Sequence, residues 1–142
     1  MGTLRTIHEQ VDRLAAIIGA PSNSLPTYGR SAQSGLPHVE VTSDGQMHFV
    51  VCERGVEFER WTTLNPDQLL YWVFQSVTFS MACDYELRHR IEGEDFRRQL
   101  FAHQLQLLHR LNPTWRVRRI NELGSRLEDA GLDVHRFETC DS

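Results

Sequence analysis

The segment that most constrains the fold runs from Leu69 to Leu87, LLYWVFQSVTFSMACDYEL. It is apolar on almost every side of a helix, with no polar stripe along its length, so a chain that forms this helix must bury it. Asn65, Pro66 and Gln68 stand just before it as a capping-box-like start with proline in the first turn. Trp72, Phe74, Val77 and Met81 are therefore expected in or against the core. No apolar run reaches the roughly 18–20 residues that a membrane span needs. The 142 residues amount to about one domain, and a domain of that size needs no disulfide or metal to hold together.

The segments before this helix supply what packs around it. Leu4, Ile7, Val11, Leu14 and Ile18 recur at three- and four-residue spacing, which predicts an amphipathic helix over 1–19 closed by Gly19 and Pro21. Residues 20–37 hold four Ser, three Pro and two Gly, the composition of a loop. From His38 to Thr62 the apolar period becomes two, with turns at Ser43-Asp44-Gly45 and Arg54-Gly55. A three-residue loop at Ser43–Gly45, with Gly45 left-handed, unites Val39, Val41, Met47, Phe49, Val51, Val56 and Phe58 on one face. Glu40, Thr42, His48, Val50, Cys52, Glu57, Glu59 and Trp61 then occupy the other.

After the central helix, Gly93 marks a break and Glu94 and Asp95 suit a new helix start. Phe96, Leu100, Phe101, Leu105, Leu108 and Leu111 form its inner stripe. Asn112-Pro113 opens a last helix, with Val117, Ile120, Leu123 and Leu127 inward and Gly131 at its end. The expected fold is α+β in a single domain. It has an N-terminal helix, a three-stranded antiparallel meander over 38–62, three helices over 65–131 packed on one sheet face, and a tail over 132–142.

Charge and motif spacing narrow the function. Nineteen acidic residues against 15 basic ones leave a net charge of −4, and every base is Arg. Without a basic run longer than Arg116 to Arg119, no nucleic-acid partner is expected. The charges distributed through the N-terminal segment contradict a signal peptide, so a soluble cytoplasmic protein without a membrane partner is expected. Cys52, Cys83 and Cys140 are odd in number and far apart, which suits neither a disulfide framework nor a thiolate cluster.

His103 and His109 are six apart and diverge around a helix, so no metal and no cofactor is expected. No metalloprotease, nucleophile-elbow, phosphate-loop or dinucleotide motif occurs, and no catalytic residue is assigned. A Cys–His pair needs no nearness in sequence and stays open, although Cys83 and Cys52 both read as small buried hydrophobes.

Two polar concentrations remain. In ACDYELRHRIEGEDFRR, Asp84 can pair with Arg88 in its own helix or with Arg97 or Arg98 of the next. The pairs are either surface ion pairs or a buried structural clamp. In CERGVEFER and its surroundings, Glu40, Glu57, Glu59 and Trp61 fall on one sheet face, with Tyr28 and Arg30 of the long loop able to fold over its edge. Such a face is either solvated surface or a partner-binding site, with carboxylates for steering and an aromatic anchor.

At these residues the chain resembles a bacterial family, Immunity protein 63. The likeness runs from PTYGRSAQSGLPHVEV through FVVCERGVEFERWTT and LLYWVFQSVTFSMACDYELRHRIEGEDFRRQLF to HQLQLLHRLNPTW, about residues 26–115. TFSMACDYELRHR with DFRR is its most specific part. The resemblance implies a non-enzymatic inhibitor that neutralises a cognate polymorphic-toxin domain by binding, a basic nuclease being the first class to test. A small enzyme with a site assembled from distant residues, or an adaptor that loads an effector, are the rival readings.

Overall fold

The computed structural model describes residues 3–29 and 34–133. The chain forms two compact units, Met1–Val77 and Thr78–Ser142, and the boundary falls inside one continuous helix.

In the first unit, helix α1 (Leu4–Ile18) starts at Thr3, whose hydroxyl accepts from the Thr6 backbone N–H while Thr6 caps Thr3 in return. It ends at Gly19, which takes the left-handed conformation (φ 65°). Ile7, Val11, Ala15 and Ile18 form its buried stripe. A short 3-10 turn (Ser22–Ser24) leads to β1 (Thr27–Tyr28), β2 (Ser34–Val41), β3 (Met47–Glu53) and β4 (Val56–Thr63), ordered β1-β2-β3-β4.

The expected three-stranded antiparallel sheet is thus corrected to a four-stranded mixed one. β1 runs parallel to β2, with Tyr28 opposite Val39, and β2 begins inside the stretch read as loop. A two-residue strand is too short to show a period, and Ser, Gly and Pro hide the start of β2.

The β2–β3 connection has the expected three-residue form. Thr42 N–H donates to Gln46 O (2.8 Å), Gly45 has φ 89°, and Val39 and Val41 stand opposite Phe49 and Met47. The β3–β4 turn uses Arg54 and Gly55, both at positive φ (53° and 79°), and pairs Glu53 with Val56 and Cys52 with Glu57. The next pair is Val51 with Glu59, so Phe58 is the extra residue of a β-bulge.

One inserted residue reverses the remainder of β4. Trp61, opposite Phe49, joins the Val39/Phe49 face, and Arg60, opposite Val50, joins the other. Phe58 is 62% exposed and Val56 55%, so neither is in the core. Val56, opposite Glu53, keeps the Phe49 face but stays outside the core, and Phe58, as the bulge residue, drops out of the expected union with Phe49.

Helix α2 (Pro66–Arg88) opens at Asn65, whose side-chain carbonyl accepts from Asp67 N–H (2.9 Å). Leu69, Leu70, Tyr71, Val73, Phe74 and Val77 are all buried, as the all-round apolar pattern requires. Trp72 is half-buried and lies 5.6 Å from Trp61, which stacks on Phe49 at 5.6 Å.

The second unit holds the rest of α2, then α3 (Phe96–Leu111), α4 (Pro113–Leu123) and α5 (Ser125–Asp129). Ala82, Leu100, Phe101, Leu105, Leu123, Leu127 and Ala130 form its apolar core, and Met81 is half-buried. α2 stops at Arg88, short of Gly93. The single last helix is corrected to two, because Gly124 (φ 54°, ψ −130°) leaves the helical region. Leu123 and Leu127 are buried and Ile120 packs against the same core, as expected, whereas Phe96 and Val117 are exposed and drop out of the expected inner stripes; Trp115 and Arg116 are buried as well. No helix among the described residues is long and apolar enough to cross a membrane.

Candidate functional site

The most organised polar arrangement in the first unit lies on the sheet face opposite Phe49. Arg60 stands opposite Val50, and its guanidinium reaches across β3 to β2. Its Nη1–H donates to Glu40 Oε1 (3.1 Å) and its Nη2–H to Glu57 Oε1 (2.8 Å). His38 lies on the same face, with its Nε2 2.6 Å from Glu40 Oε2. The stem of Arg60 therefore passes over Val50, which is fully buried.

Charge within this cluster is largely matched. Hydrogen bonds from Arg60 hold the Glu57 carboxyl below its ordinary pKa. Burial pushes the Glu40 carboxyl up, but hydrogen bonds from Arg60 and His38 outweigh that effect and hold it below the ordinary value. The two carboxylates in turn raise the pKa of Arg60, chiefly through the hydrogen bond to Glu57. Two carboxylates around one guanidinium leave one net negative charge, with side-chain exposures of 31% for Glu40, 36% for Arg60 and 44% for Glu57.

The residues expected to form one acidic face are divided. Glu40 and Glu57 share the Arg60 face, while Glu59 and Trp61 lie on the Phe49 face, because the Phe58 bulge separates the pairs. This corrects the cluster read from strict alternation. Tyr28 stacks on His8 of α1 with ring centroids 3.9 Å apart. Its hydroxyl is buried without a partner among the described residues, and burial, with the Asp12 charge, drives its pKa upward. Arg30 lies outside the described residues. Arg60 and His38 were absent from the expected site; the alternation through CERGVEFER names Arg60 only once the bulge is allowed for.

Of the four residues read as a clamp, Asp84 and Arg88 pair within their helix, as a surface ion pair and not a buried one. Asp84 and Arg88 are 4.0 Å apart, with 67% and 76% of their side chains exposed. Arg97 pairs with Asp95 (2.7 Å) and Arg98 lies 3.8 Å from Glu94. The buried acid of this segment is Glu86, whose side chain is 5% exposed and receives two hydrogen bonds from Arg90 (3.1 and 2.9 Å). Nearby, Tyr85 lies between two imidazoles, with centroids 4.1 Å from His89 and 4.0 Å from His103. Desolvation lowers the His103 pKa, aided by the His89 charge.

Among the described residues, no group of three or more His, Cys, Asp or Glu is placed to hold a metal ion. Burial and the charges of Asp84 and Glu86 push the Cys83 thiol up, which disfavours the thiolate that a nucleophile requires. What the Arg60 face can do is present ordered carboxylates to a cationic partner. Chain comparison bears on what that partner is. The family model described as Immunity protein 63 matches residues 43–125, which include Glu57, Arg60 and the whole of α2 and α3 but leave out His38 and Glu40. No curated protein and no solved structure matches the chain.

Proposed function

Because this chain belongs to the Immunity protein 63 family, we propose that it neutralises one cognate toxin domain by direct stoichiometric binding. The family match carries this reading, and the ordered Arg60 face gives it a chemical form. Held by Arg60, Glu40 and Glu57 meet a partner without first losing much side-chain freedom, which lowers the entropic cost of association. Their negative charge suits a basic surface, and a nuclease groove is the first such surface to test. An inhibitor of this kind acts in the bacterial cytoplasm by covering the toxin's substrate site, and it needs no catalytic group or cofactor of its own.

Glu59 and Trp61 belong to a different surface and have no part in this contact. Tyr28, opposite Val39, shares the Phe49 face and has no part in it either. The test is co-expression with the toxin domain encoded beside this chain. Protection of the cells and co-purification of an equimolar complex are expected. Failure of both defeats the proposal, whereas turnover of the toxin or its substrate at substoichiometric protein replaces binding with catalysis.

A further inference from the structure

Among the described residues β4 is the last strand of the sheet, and it is exposed along nearly its whole length. Val56, Phe58, Trp61 and the adjoining Leu64 are 55%, 62%, 39% and 70% exposed, an apolar series seldom left open on an edge strand. The usual edge guards are weak here. The chain has no Lys, the bulge is confined to Phe58, and Arg60 turns its charge inward over the sheet toward Glu40.

The hydrogen-bond alternation identifies the backbone groups that face outward. Thr42 N–H donates to Gln46 O, so Gln46, His48 and Val50 of β3 and its loop exchange bonds with β2. Met47, Phe49 and Val51 then bond β4 at Thr63, Trp61 and Glu59. The N–H and C=O groups of Arg60 and Thr62 consequently point away from the sheet.

We propose that two copies of this chain join edge to edge through β4, antiparallel about a twofold axis at Trp61. In that register Arg60 and the partner's Thr62 exchange backbone hydrogen bonds, and Trp61 meets the partner's Trp61. Glu59 faces the partner's Thr63, and Phe58 comes alongside the partner's Leu64. Each apolar residue meets an apolar one and each charged residue a neutral hydroxyl. A shift of two residues one way sets Arg60 against the partner's Arg60. The opposite shift sets Trp61 against Thr63 and Arg60 against Leu64 of the partner subunit. The occupant is a second copy because the strand complements itself in this register. Opposed residues share a face, so the pairing also aligns the two Glu40–Arg60–Glu57 clusters on one side of a continuous sheet.

Sedimentation of the full chain over a concentration series tests the proposal. The wild type is expected at twice the chain mass, and the variant Phe58→Lys, Leu64→Lys at the chain mass. Both positions are exposed, and an unchanged circular dichroism spectrum separates lost pairing from lost folding. The variant Phe58→Lys, Leu64→Glu is expected to recover the dimer, because each Lys then meets the partner's Glu. A wild type that stays monomeric at every concentration overturns the proposal, as does a dimer that survives the two lysines. Failure of the Lys/Glu pair to restore dimerisation overturns the register. Protection of the Thr62 amide from exchange only after the toxin domain is added assigns the edge to the toxin and overturns the second copy as its occupant.

Discussion

Glu57 and Glu59 are two residues apart on β4 yet face opposite sides of the sheet, because Phe58 between them is an inserted bulge residue. In a regular strand such a pair shares a face. The bulge sends Glu57 to Arg60 and Glu40, and leaves Glu59 beside Trp61 on the surface opposite.

This geometry makes the two glutamates a paired test of the toxin contact. Glu57→Arg is expected to slow association with the toxin domain, and to do so most at low salt, since surface charge acts mainly on encounter. Glu59→Arg is expected to leave the rate unchanged. Stopped-flow association at two ionic strengths checks both, and equal effects would place the toxin elsewhere.

The bulge also predicts a contrast in stability. Phe58, 62% exposed, should tolerate Ala within about 0.5 kcal/mol. Phe49, 3% exposed and stacked on Trp61, should lose about 3–5 kcal/mol on the same change. Urea unfolding of the two variants measures the difference, and similar losses would return Phe58 to the core.

In the second unit the consequential ion pair is Glu86 with Arg90. Arg90→Ala leaves a 5% exposed carboxylate without its two hydrogen bonds, so the denaturation midpoint should fall. Asp84→Ala removes a carboxylate 67% exposed and 4.0 Å from its arginine, and the midpoint should stay where it is. A midpoint lower for Asp84→Ala than for Arg90→Ala would restore the clamp to Asp84.

Acid should weaken the fold in two windows. His103 has a lowered pKa in the folded chain, through desolvation first and the His89 charge second. Below its ordinary value of 6.5 the unfolded chain therefore takes up the proton first. Stability is full above that pH and declines as pH falls toward the folded value. His103→Gln should flatten this part of the profile. Glu40 and Asp44 have lowered pKa values too. In Asp44 the causes are hydrogen bonds from the Thr42 hydroxyl and then the Gln46 N–H, and in Glu40 those from Arg60 and His38 overcome burial. Their contributions are present above 4.5 for Glu40 and 3.8 for Asp44, and are lost as pH falls through the folded values. Denaturant midpoints from pH 8 to pH 3, about one unit apart, resolve the two declines; a profile unchanged by His103→Gln removes the upper one.

Local chemistry alone determined much of this protein. The spacing from Leu4 to Ile18, with Gly19 behind it, sets α1, and the all-round apolar run after Asn65-Pro66 sets α2. The three-residue hairpin loop follows from the alternation on either side of it, since that loop length sets Val39 and Val41 on one face with Met47 and Phe49, and Gly45 supplies its positive φ. The sequence pattern also carried the family, through residues of the central helix and the helix that follows. Three features were decided only in the folded chain. β1 depends on hydrogen bonds to Val39 and His38, ten or more residues away, and two residues carry no period of their own. Glu86 rather than Asp84 is buried because the phase of a helix that is apolar on nearly every side is chosen by what packs against it. The Phe58 bulge leaves the composition of CERGVEFER unaltered and reassigns Glu59, Arg60 and Trp61 to new faces. A strand alternates with a period of two, so one inserted residue inverts everything beyond it, and only pairing with β3 shows where the insertion falls.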